Sequence, residues 1–479
     1  MPLSHSTVTD LFTDIASTIR SKTGSNSPIV ADAFPTAINA IDVMTDIDKA
    51  NLGIFKGQYQ YITLSDRMSV PSSVAWCSVT QEWCDSLTKI ASGAFMNRLF
   101  KDGSWTFANV SYISSCGFYN GGLYTGGYGV VDFNFPSCKN IGTDAFVKSS
   151  IFTINAPICS TIDSYAFQSC SRLTSVSFPA CTTIDSYAFQ SCSRLTSVSF
   201  PSCTTIGNSA FQNCSSLTTA NFPACTTINN YAFYSCSSLT SISFPVCSII
   251  GSSAFQYCYS LTTANFPACT YISRSAFYQC YSLTSISFPV CSIIGNSAFA
   301  YCSSLTSVNF PACTSIGTSA FLGCNSLTTA SFPACTTIGN SAFQNCRSLV
   351  TANFPSCTTI GQYAFYSCWS LASISFPACT SIGEHAFQFC TSLASASFPV
   401  CTTISVYAFI SCYKLLSLYL TGSSLCSLGN IDTFYSTPIS NYTTSTDGIY
   451  GSIYVPASLL ASYKTATNWV TYSSRFVGV

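Results

Sequence analysis

Charge is what this sequence has least of. Asp, Glu, Lys and Arg together make up 7% of its 479 residues, and their signs cancel to a formal net charge of zero. A soluble protein ordinarily carries about 25% charged residues. The shortage excludes a nucleic-acid binder, which needs a dense basic stripe to displace counterions, and polybasic attachment to anionic lipid. Solvation falls to Ser, Thr, Asn and Tyr instead. Histidine is nearly missing, His5 and His385 being the two. Long apolar runs are missing too: mean hydropathy is +0.36, yet no uninterrupted stretch reaches the ~18 residues that span a bilayer, so no membrane insertion is expected. The opening MPLSHSTVTDLF lacks a basic segment followed by an apolar one. No secretory leader is therefore expected, and folding is expected in a reducing cytosol.

What is plentiful is cysteine, 29 residues, and it follows a beat. Prolines fall at 136, 157, 179, 201 and onward to 399, with one step of 21 and every other step of 22. Phe146 to Phe409, Ile162 to Ile404 and Leu173 to Leu415 keep the same period. A fixed period in the low twenties predicts a solenoid, in which each coil buries its apolar residues only against its neighbours. In LTSVSFP, Leu173, Val176 and Phe178 form a short strand with outward Ser and Thr, and Pro179 ends it because a strand interior has no place for a residue without N–H. CTTI sends Cys181 and Ile184 inward, and SYAFQSC forms a second side, short helical or irregular, with Ala188 and Phe189 facing the core.

The expected organisation has five parts. Residues 1–45 are a helical attachment module, with Leu11, Ile15 and Ile19 on one helical face. Residues 46–89 are a connecting β and loop region. Residues 90–134 hold degenerate repeats (Ile90 and Phe95 return as Ile113 and Phe118) and a Gly/Tyr-rich insertion. The regular solenoid runs over 135–415. Residues 416–479 form a cap, which would cover the last open coil and keep its edge from pairing with other chains.

Thirteen cysteines follow the repeat proline by two residues and twelve precede the repeat leucine by three. Metal sites want cysteines two to four apart, and here the spacing is mainly eleven. Inter-coil disulfides are not excluded by spacing alone, but in-register side chains point the same way and fit the disulfide dihedral poorly. The preferred reading is a buried ladder of free thiols acting as small hydrophobes. Catalytic constellations are scarce. Asp163 and Asp185 form a like-charged pair copied by a near-exact duplication, and Glu384 beside His385 has no evident nucleophile. Neither an enzyme nor a cofactor is expected.

The repeat I-G-x-x-A-F-x-x-C-x-x-L-x-x-x-x-F-P-x-C resembles the BspA-like class of leucine-rich repeats over residues 90 to 415. That resemblance implies a parallel-strand solenoid with a sheet on one face, used in adhesion and recognition. The chain departs from it in a 22-residue beat, where members are often one residue longer, and in Cys after the proline, where an aliphatic residue is common. LFTDIASTIRSKTGSNSPIVADAFPTAINAI is similar to a module that opens tail proteins of phages and prophages of Gram-positive bacteria, and IYVPASLLASYKTATNW to the closing segment of repeat proteins of this class. The first likeness implies attachment to other tail proteins, a virion location after folding in the host cytoplasm, and a homo-oligomer.

Function is then sought where coils deviate. The position after the second cysteine is more often Ser than any other residue, but is Tyr259, Tyr281, Trp369 and Tyr413 in four coils. Tyr257, Tyr259, Tyr278, Tyr281 and Tyr301 fall on three successive coils, and Tyr363, Tyr366, Trp369, His385 and Phe389 form a second group. Aromatic faces beside hydroxyl donors suit contact with a host-surface glycan or protein; drift at tolerant positions and lateral packing against another subunit are the plainer readings. An outward Ser/Asn alternation from Ser199 to Asn353 is read as a solvated sheet face. Three functions are compared: a phage tail adhesion protein, a bacterial cell-surface adhesin of the same repeat class, and a spacer that binds nothing.

Overall fold

The structure, a computed structural model, describes residues 81–96, 99–100, 103–123, 130–440 and 450–479. Leu11, Ile15 and Ile19 lie outside these, as does most of the connecting region. The chain packs as two compact units that divide between Phe178 and Pro179. Both are parallel β-solenoids, and from Val131 to Tyr419 their coils keep the period set by the prolines.

One coil of the second unit shows how the sequence makes a coil. After Pro201 and the buried Cys203, a two-residue strand, Thr205–Ile206, points Ile206 inward. The chain then runs through tight turns and returns as the three-residue strand Thr219–Asn221, with Ala220 inward and its neighbours exposed. Alternation of facing along a strand makes this T-A-N or S-V-S pattern half-buried. Each strand pairs in register with its copy in the next coil, Ile206 with Ile228 and Ala220 with Ile242. Within this unit the two-residue strands form one uninterrupted ladder from Thr183–Ile184 to Ser427–Leu428. The three-residue strands form separate sheets, broken after Ser285–Ser287 and after Thr351–Asn353.

The turn side is not helical, which corrects one half of the expectation for it. Over Gly207–Cys214 the N–H groups alternate. Those of Ser209, Phe211 and Asn213 donate to Asn230, Ala232 and Tyr234 of the next coil at 2.8–2.9 Å, while those of Ala210, Gln212 and Cys214 close turns on residues three back. A helix would have spent all of them internally. The alternation requires left-handed backbone at Ser209 and Asn213, with φ of 54° and 61°.

Two phenylalanine columns fill the core of the second unit. Phe299 stacks on Phe277 at 5.2 Å and on Phe321 at 5.3 Å, nearly parallel in both cases. Phe288 of the other column meets Phe299 edge-on at 6.0 Å. The cysteines stand buried beside these columns. Cys203 Sγ donates to the Thr205 carbonyl at 3.3 Å, and Cys214 Sγ donates to the Phe189 carbonyl of the preceding coil at 3.1 Å. Exposed hydroxyls add a further tie, Thr218 Oγ1 donating to the Thr196 carbonyl at 2.9 Å and Thr226 Oγ1 to that of Thr204 at 3.1 Å.

In the first unit the degenerate repeat is structural as well: Ile90 bridges Ile113 in parallel, and Phe95 stacks on Phe118 at 4.8 Å. At the C-terminal end of the second unit, strands Ser452–Val455 and Phe476–Gly478 extend the sheet. Between them the helix Leu460–Thr465 and the turn of 3₁₀ helix Trp469–Arg475 place Tyr463, Trp469 and Tyr472 in the core. Trp469 Nε1 donates to the Cys426 carbonyl at 2.7 Å, and the Cys426 N–H donates to Tyr463 Oη at 3.0 Å.

Candidate functional site

Because the buried positions hardly vary, chemistry has to come from the turn side and its exit. The slot before the second cysteine is one of the two left-handed positions of each coil. Ser or Asn holds it in many coils, whereas Tyr257, Tyr301 and Phe389 hold it with φ of 65°, 62° and 60°. A left-handed conformation costs an ordinary side chain about 1–2 kcal/mol. Aromatic rings therefore sit there against local preference.

The first group is a continuous ladder. Tyr257 contacts Tyr259 at 5.9 Å and meets Tyr278 edge-on at 6.0 Å. Tyr278 meets Tyr301 at 5.6 Å, and Tyr259 lies parallel to Tyr281 at 5.4 Å, which are the offset and edge geometries that ring quadrupoles favour. Tyr259 and Tyr281 are each 42% exposed. Two residues absent from the sequence-based set extend it, Tyr234 against Tyr257 at 5.2 Å and Tyr231 against Tyr234 at 5.8 Å. At its other end the Tyr301 ring lies where a Cβ on Gly323 would come within 2.7 Å of it. Glycine at that slot makes room for the ring.

The second group is partly regrouped. Tyr363 meets Tyr366 at 5.6 Å, and Tyr366 meets Phe389 at 5.5 Å. His385 is stacked between Tyr363 and Tyr407, at 4.7 and 5.0 Å. Trp369 makes none of these ring contacts; the Arg347 guanidinium lies over it at 4.4 Å. Tyr407 and Arg347 do not stand out along their own coils, because their contacts, to His385 and Trp369, run down a column of the stack. His385 is held by neighbours, Nδ1 2.5 Å from Gln388 Oε1 and Nε2 3.4 Å from Glu384 Oε1, and Glu384 Oε2 accepts from Gln362 Nε2 at 3.0 Å.

The Ser/Asn column is tied within itself, Asn221 Nδ2 donating to Ser199 Oγ at 3.1 Å and Asn265 Nδ2 to Ser243 Oγ at 3.3 Å. Another exposed column was not anticipated: Ile249, Tyr271 and Ile293 are register partners on the two-residue ladder, at 40–46% exposure. Burial pushes the core thiols up, Cys203 to about 11 and Cys214 to about 12, so they remain protonated and weakly nucleophilic at neutral pH. Among the described residues no cluster of three or more His, Cys, Asp or Glu could hold a metal ion, and no helix is long and apolar enough to cross a membrane.

Coils stacked in parallel register, constant inside and variable on one exposed edge, define a leucine-rich-repeat-like β-solenoid, a class built to present extended binding surface. Residues 127–240, 226–349 and 314–441 match the BspA-type leucine-rich repeat region. The chain belongs to the BspA-type leucine-rich repeat family. It is similar in structure to a leucine-rich repeat protein from Bacteroides ovatus, at 23% identity over 74% of this chain and 88% of that one, with a TM-score of 0.55. A leucine-rich cell surface protein from Faecalibacterium prausnitzii matches at 22% identity over 72% and 86% of the two chains, with a TM-score of 0.34. At these identities the likeness concerns the fold. No curated protein matches in sequence, and the family match covers none of residues 1–45.

Proposed function

We propose that this chain is a non-enzymatic adhesion protein whose tyrosine ladder contacts a glycan or protein of a host-cell surface. The observation that carries the reading is the unbroken set of ring contacts from Tyr231 to Tyr301. It stands on a surface otherwise rich in Ser and Thr. Rings bury area at small entropic cost and hydroxyls fix orientation. The likeness of residues 1–45 to tail-protein modules favours a virion-borne adhesin attached to other tail proteins and acting in several copies, so that weak contacts add through avidity. The repeat family itself favours the second reading, a bacterial cell-surface adhesin. Tail-assembly genes on either side of this one would separate the two.

Binding of the full chain to host cells or a glycan array is the direct test. Changing Tyr259, Tyr281 and Trp369 together to Ala should weaken it at least about tenfold, which requires the three rings to contribute only about 1.4 kcal/mol between them. Unchanged binding by the triple variant would remove Tyr259, Tyr281 and Trp369 from the site, and no binding by the parent chain would leave the spacer reading.

A further inference from the structure

Tyr259, Tyr281, Asn325, Arg347, Trp369 and Tyr413 occupy one repeat slot, the residue after the second cysteine, each a whole number of coils from the next. The slot is Ser at 193, 215 and 237 and departs from it only farther along. Backbone hydrogen bonds keep it in line from coil to coil: Ser282 N–H donates to the Tyr259 carbonyl at 3.3 Å, Ser370 N–H to that of Arg347 at 3.2 Å and Ser392 N–H to that of Trp369 at 3.2 Å. Tyr259, Tyr281, Trp369 and Tyr413 are 42–56% exposed, and Arg347 is exposed too. The exposed aromatic residues thus lie along one line with a cation in its middle.

Charge along this stretch is not balanced as it is over the whole chain. Between Asp185 and Asp432 the sequence has four basic residues, Arg194, Arg274, Arg347 and Lys414, and one acid, Glu384. Glu384 is engaged with Gln362 and His385. Arg347 has no ion-pair partner among the described residues and lies over the Trp369 ring. A guanidinium held against an indole loses little further freedom on binding, and its N–H edge matches an oxyanion bidentately.

We infer that this row is a binding track for an extended polysaccharide bearing oxyanions, carboxylate or phosphate. Its sugar rings pack against the exposed parts of Tyr259, Tyr281, Trp369 and Tyr413, and its anionic group meets Arg347. The inference rests on the recognition reading above and specifies its ligand. Lys414, next to Tyr413, supplies a second cation at the far end of the row.

The test uses the full chain with three probes: hyaluronate for carboxylate, a phosphomannan for phosphate and dextran as the neutral control. Arg347→Gln and the pair Tyr259→Ser with Tyr281→Ser are the variants; Ser already fills this slot in other coils, so the pair should leave the fold intact, which circular dichroism verifies. The expected result is binding to at least one anionic probe in preference to dextran. Each variant should weaken it about tenfold, and Arg347→Gln should also flatten its salt dependence. Response to hyaluronate or to the phosphomannan alone assigns the anion, and either supports the track. Equal binding by Arg347→Gln and parent overturns the inference. Binding of neutral glycans alone overturns it too but leaves the recognition reading standing, whereas no binding to any probe, host cell or array glycan defeats both.

Discussion

A thiol in this core is a small hydrophobe with one weak donor, and the backbone supplies its acceptor: Cys203 reaches Thr205, and Cys214 reaches back a coil to Phe189. Burial raises most of these thiols, while Cys138 and Cys401 move the other way because Cys159 and Cys426 donate to them. The raised values have a consequence for stability. Unfolded thiols ionise near 8.5, whereas folded Cys203 and Cys214 ionise at about 11 and 12. Their stabilisation is whole below about pH 8.5 and is lost as pH rises toward the folded values, by about 1.4 kcal/mol per pH unit for each thiol. Thermal melts at pH 7.5 and 9.5 should differ clearly, with the lower Tm at 9.5. Equal midpoints would mean that the thiols are not buried in this way.

A coil cannot stand alone, and its energetics belong to its neighbours. Phe299 faces Phe277 and Phe321 across two coil boundaries, so Phe299→Ala opens a cavity at both. The expected cost is about 3–5 kcal/mol, readable as a shifted urea midpoint with an unchanged far-UV spectrum. A loss below about 1 kcal/mol would contradict nearest-neighbour stacking. At this scale the strands were legible, because Leu, Val and Phe alternate with Ser and Thr at strand period and proline marks the end. The turn side was not. SYAFQSC carries Ala and Phe at a spacing a helix could share, and only inter-coil acceptors such as Asn208, Ala210 and Gln212 decide that its N–H groups leave the segment. The same reasoning covers the site: Tyr257 and Tyr259 stood out along their own coil, but Tyr234, Tyr407 and Arg347 matter through residues about a coil away, and Tyr231 joins only through Tyr234.

Over the whole molecule, an array of identical edges must end somewhere. Here Trp469 and Tyr472 pack against Phe434 at 5.9 and 5.3 Å, Tyr463 packs on Trp469 at 5.7 Å, and the Trp469 indole is tied to Cys426. Trp469→Ala should cost about 3–5 kcal/mol. Because it loosens the cover over a sheet edge, it should also promote concentration-dependent association, measurable by light scattering. A variant that melts like the parent and stays monodisperse would show that the closing segment is dispensable.

The period, the buried columns and the scarcity of charge were set by the sequence alone. A chain that repeats on so short a beat has one economical way to bury Ile, Phe, Leu and Cys, which is against copies of itself. What tertiary structure decided is which exposed residues meet. Residues one repeat apart are remote along the chain and about 5 Å apart across the stack, close enough for Tyr259 to lie on Tyr281 and Arg347 on Trp369. Neither pair exists until parallel register brings the coils together.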